Sequence, residues 1–222
     1  MDGSFRTYDR ARANMVESQL RPNKVVDEGV LDAFGRVRRE LFVPSHLRGV
    51  AYVDEDLPLG RNRFLMEPMV AARLLQAAQI ERGDSALIVG AGVGYEAAVV
   101  SFLARTVIAL EEDPELARQG RAALVDHGIA SVKFVEAPLR GGYRQGAPYD
   151  VILFGGAISD VPAEIASQLA EGGRMVAVIK PERGVGRATI VTRTGGVLAR
   201  RAIFDAATPL LPGFVPKPAF EF

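Results

Sequence analysis

The chain has 222 residues, 48% hydrophobic and 24% charged, with 27 Lys and Arg balanced by 27 Asp and Glu. That zero net charge argues against a general nucleic-acid or membrane-surface binder. Cys is absent and the two His, His46 and His127, stand far apart. Disulfides, thiolate nucleophiles and cysteine-held metals are thereby excluded, and no metal site is expected.

The opening "MDGSFRTYDRARANM" is polar, without the apolar core of a signal segment, so a cytoplasmic protein is expected. Tyr8, Ala11, Met15 and Val16 share one side of a helix predicted over Ser4–Leu20. "RPNK" ends it, and Asp27 caps a second helix over Glu28–Val37. Arg39–Gly60, punctuated by Pro44 and Pro58, reads as irregular, with His46 in a helix-like turn; Pro68 then opens a third helix over Pro68–Ile80. Residues 1–80 thus form a helical entry region, part of the same domain as the core at 81–222.

From there strands and helices alternate. Short β-rich runs stand at Ser85–Val89, Val107–Glu111, Val132–Val135, Asp150–Phe154 and Met175–Ile179, with helices at Tyr95–Leu103, Pro114–His127 and Pro162–Leu169. This is the pattern of an α/β fold, a mostly parallel sheet with helices on both faces. The apolar run Ala86–Ala104 approaches a membrane span in length, but it carries Glu96 and closely spaced glycines, so strand, turn and helix explain it better. His127 falls at a helix C-terminus, where partial positive charge is favourable. "RATIVTRTGGVLARRAIF" then predicts an antiparallel hairpin. The proline-rich tail Phe204–Phe222 is expected to lie extended across a surface.

The turn Gly90-Ala91-Gly92-Val93-Gly94-Tyr95 has Tyr95 where a dinucleotide fingerprint wants its third glycine, which sets aside a nicotinamide oxidoreductase. The spacing better fits the first loop of S-adenosylmethionine (SAM) methyltransferases. There the backbone passes close to the methionine part of the cofactor and a helix N-terminus faces its carboxylate. Tight packing would also explain small residues here. About twenty residues on, a strand ends in Glu111, followed by Glu112 and Asp113. An acid at that strand end suits a ribose diol; alternatively the three are a solvated strand end and a helix N-cap.

Several segments in order resemble protein-L-isoaspartate O-methyltransferases: "VLDAFGRVRRELFVP", "AYVDEDLPLG", "VGAGVGYEAAVV", "LEEDPELA", "APYDVILFGGAISDVP" and "QLAEGGRMVAVI". The resemblance implies a Rossmann-like class I SAM methyltransferase fold with a reversed last strand. It implies SAM as cofactor, held by Gly90, Ala91, Gly92, Gly94, Tyr95, Glu111, Glu112 and backbone at Leu139. It also implies a protein or peptide carboxylate as acceptor, with no nucleic-acid or membrane partner. The family's acceptor carboxylate is itself the nucleophile, so the enzyme mainly positions and desolvates it.

The chain departs from the family where side chains meet substrate. In "PLGRNRFLMEP", Pro58–Pro68, the family's Thr falls on Phe64, its Ser on Met66, and its Gln residues on Arg63 and Glu67. No catalytic residue is thereby identified. Arg61 and Arg63 offer guanidinium forks that suit an acceptor carboxylate, unless they are plain surface arginines. Ile88 and Pro138 stand where the family has acids. At about 1 kcal/mol per lost hydrogen bond, cofactor affinity is expected to fall about tenfold to a hundredfold or more. An inactive relative serving as a SAM-binding or protein-interaction module is the competing expectation.

Overall fold

The computed structural model describes residues 3–215. A helix α1 (Gly3–Met15) runs on through a π turn at Val16–Leu20, so the predicted single helix changes its winding at the residues that bury Val16 and Leu20. In α2 (Glu28–Arg36), Asp27 caps as expected, its carboxylate accepting from the Val30 N–H. Arg39–Phe42 and Ser45–Val50 are 3-10 turns, the second carrying exposed His46. A hairpin, β1 (Leu57–Gly60) and β2 (Arg63–Leu65), runs from the end of the irregular segment into the residues before α3 (Pro68–Ala78).

The core holds β3 (Ser85–Val89), α4 (Tyr95–Val100), β4 (Thr106–Glu111), α5 (Pro114–His127), β5 (Val132–Glu136), β6 (Tyr149–Ile158), α6 (Ala163–Ala166), β7 (Leu169–Ile179), β8 (Arg187–Thr194) and β9 (Val197–Asp205). They form a 7-stranded sheet of order β5-β4-β3-β6-β7-β8-β9, parallel from β5 to β7. The reversed strand is β8; β9 turns back beside it as the sheet's antiparallel end.

Alternation on the strands separates two cores. Ala86, Ile88, Val107, Ala109, Val151 and Leu153 face the N-terminal region, α4 and α5. Leu87, Val89, Leu110, Ile152 and Phe154 face the other way. The second face has thinner cover: α6, 3-10 turns at Leu139–Gly141 and Arg144–Gly146, and the tail. The helix predicted over Pro162–Leu169 shortens to four residues because β7 already begins at Leu169. The tail crosses the C-terminal end of the sheet, with Leu211 and Phe214 buried and Leu210 bridging Ala157. The rest of that predicted extended segment, 216–222, lies outside the described residues.

His127 corrects one expectation. Its Nε2 accepts the Arg38 backbone N–H at 3.0 Å, and burial lowers its pKa. The same nitrogen lies 3.2 Å from the Arg36 carbonyl, and burial works against the charge that the helix end would favour. The run Ala86–Ala104 divides into strand, turn and helix, and among the described residues no helix is long and apolar enough to cross a membrane.

Candidate active site

At the C-terminal end of the parallel strands, β3 gives way to the glycine turn. Gly90, Gly92 and Gly94 have φ of 72°, 55° and 82°, the left-handed region where a side chain is strained. A Cβ on Gly94 would also stand 2.9 Å from the Phe134 ring. The turn's polar groups are largely committed internally. The Gly90 and Ala91 N–H groups donate to the Leu110 carbonyl, Gly94 N–H donates to Ala91, and Gly92 N–H reaches a Glu111 carboxylate oxygen at 2.6 Å.

Glu111 ends β4 with its side chain fully buried. One oxygen accepts the backbone N–H groups of Glu112 and Asp113, both at 3.0 Å; the other accepts Gly92. The remaining donor is Arg63. Its Nη1 lies 2.6 and 2.8 Å from the two carboxylate oxygens, and its Nη2 donates to the Gly90 carbonyl at 2.6 Å. The two side chains are 3% and 0% exposed. Arg63 is therefore neither a surface arginine nor free for an acceptor carboxylate, because its Nη1 and Nη2 are taken by Glu111 and the Gly90 carbonyl.

Apolar groups complete the filling. Cβ positions on Gly90 and Gly92 would lie 2.9 Å from the Leu211 methyls and 3.3 Å from a Leu59 methyl. The crevice left beside Arg63, Phe64, Gly156 and Leu211 measures about 10 Å³, room for about one water. Ligand pockets typically measure about 300–1,000 Å³. This conformation does not fit SAM: the Glu111 carboxylate, expected to face a ribose diol, is saturated, and the space over the glycines is taken.

The remaining candidate residues scatter. Arg61 is exposed at the hairpin tip and pairs with Asp113 at 3.1 Å. Phe64 lines the small crevice, whereas Met66 is 1% exposed and packed in the core. Tyr95 turns its ring inward, edge-on to Phe34 and Phe42, with Arg39 4.7 Å above it, so only its backbone belongs to the turn. Glu112 is exposed and 3.4 Å from the N–H of buried Leu139, which Pro138 precedes.

Two features escaped the sequence reading. Buried Arg39 donates to the carbonyls of Ala51 and Met66, pinning the chain just after β2. It also lowers the pKa of buried Glu96, but desolvation outweighs this and pushes that carboxyl up to about 6. Asp54 accepts the Met69 N–H in the first turn of α3, and Asp56 accepts the N–H of the cap residue Glu67. Burial, then these acids and Glu55, push the Glu67 carboxyl up to about 7. The acid-rich "VDED" before Pro68 was the available signal; nothing local marks Arg39.

Residues 10–202 match the family model described as protein-L-isoaspartate(D-aspartate) O-methyltransferase. A Methylorubrum populi protein-L-isoaspartate O-methyltransferase is 39% identical over 79% of this chain and 82% of its own length. A Methanoculleus marisnigri protein of the same name is 36% identical over 85% of this chain and 86% of its own. A solved structure of that name superposes with a TM-score of 0.80 at 25% identity, covering 91% of this chain and 66% of that one.

Proposed function

We propose, from the premise that the chain belongs to the protein-L-isoaspartate(D-aspartate) O-methyltransferase family, that it is a SAM-dependent methyltransferase acting on a protein carboxylate, the free carboxyl of an isoaspartyl residue. The observation that carries this reading is the family match across the sheet and the entry region, 10–202. The glycine turn with Glu111 at the next strand end supports it, and we assign the cofactor to Gly90, Ala91, Gly92, Gly94, Glu111 and the Glu112–Leu139 edge. The acceptor brings its own nucleophile, so the lack of His or Cys at the site is no obstacle.

The test is methyl transfer from SAM to a peptide containing isoaspartate, with the aspartyl peptide of the same sequence as control. Base-labile methyl ester on the first alone is the expected result. Equal labelling of both overturns the acceptor assignment, and labelling of neither overturns the activity.

A further inference from the structure

We propose that the β1–β2 hairpin is an intramolecular competitor for the cofactor cradle, seated by Arg63 on Glu111, and that the cofactor binds only when the hairpin tip withdraws. This rests on the family reading above. Arg63 takes both carboxylate oxygens of Glu111 and the Gly90 carbonyl, the polar groups a nucleoside would need at that strand end. Leu59, from the facing strand, presses on Gly92. The Arg63 guanidinium lies 3.2 Å from a Cβ placed on Gly90, and it and Leu59 lie 3.8 and 3.3 Å from one placed on Gly92, so hairpin and ligand cannot share the cradle.

The hairpin is built to move at its tip and not at its base. Leu57 pairs with Leu65, both buried, and Arg39 holds the Met66 carbonyl just beyond. Between these anchors the chain turns through Gly60, Arg61 and Asn62, all at positive φ, of 87°, 54° and 56°. The exposed tip has one ion pair outside the cradle, Arg61 to Asp113. Withdrawal therefore breaks two ion pairs, Arg63–Glu111 and Arg61–Asp113, and leaves the base packed. A ligand that must first displace the hairpin has its apparent affinity reduced by the fraction of molecules with the cradle open.

The experiment is calorimetric titration with S-adenosylhomocysteine of the full chain and of two variants, Arg63→Gln and Leu59→Ala. The second keeps the buried ion pair and so covers the case in which the first does not fold. Hydrogen exchange at the Arg63 and Phe64 amides is followed in the same samples. The expected result is binding about tenfold or more tighter for Arg63→Gln, a smaller gain for Leu59→Ala, and faster exchange of those amides in the wild type when ligand is added. Equal, measurable affinities in all three proteins overturn the competition and leave the family reading standing. No binding by any of the three folded proteins at millimolar ligand overturns both.

Discussion

Glu67 caps α3, its own N–H donating to Asp56 and the Met69 N–H to Asp54, and its carboxyl is pushed up to about 7 by burial and these neighbours. A carboxyl whose folded pKa exceeds its unfolded value binds its proton more tightly in the native state. Its contribution to stability is whole below about pH 4.5, the ordinary value, and is lost as pH rises through 7. Glu67→Gln should stabilise the protein at pH 8 by about 1 kcal/mol after allowing for solvent screening. The gain should vanish near pH 4. Urea unfolding at the two pH values checks it. Met66 behaves differently: as a core residue, its replacement by Ser would bury an unpaired hydroxyl instead of rebuilding an acceptor site.

At the scale of the element, the hairpin carries a local cost. Its two-residue turn requires positive φ at both positions, which Asn tolerates and Arg does not. Arg61 sits there at φ 54°, a strain of roughly 1–2 kcal/mol. Its exposed pair with Asp113 returns under about 1 kcal/mol. Arg61→Asn should therefore stabilise the protein by about 0.5–1 kcal/mol, read as a raised denaturation midpoint. The turn was hard to see in the sequence because Gly-Arg-Asn-Arg carries its Asn second and no Asn-Gly or Asp-Gly pair, and β2 is only three residues long.

Across the whole molecule, the first 80 residues and the sheet share one core. Met15, Leu20, Phe34, Phe42 and Leu75 belong to the same apolar cluster as Ile88, Tyr95 and Leu153. The fragment 81–222 would bare that face. It is expected to lose the cooperative thermal transition and the near-ultraviolet circular dichroism of the full chain; a sharp transition in the fragment would show two separable units. The alternating architecture was legible because periodicity and turn residues are local. Glu111 and the glycine turn were legible because strand ends are. Arg63 was not, because its partner lies 48 positions away and the pairing has no signature in either segment. The short α6 was misjudged for a related reason: the pairing of β7 with β6 claimed Leu169.

The buried pair also restricts how this chain can change by descent. Losing either member alone strands the other without water, at about 3–5 kcal/mol, a large part of the roughly 5–15 kcal/mol that holds a domain together. The two losses are not equivalent. An orphaned Glu111 keeps the N–H groups of Gly92, Glu112 and Asp113 and can recruit a diol. An orphaned Arg63 keeps only the Gly90 carbonyl. A lineage leaving this arrangement thus has its easier first step at position 63, and the acid should outlast the base among its descendants.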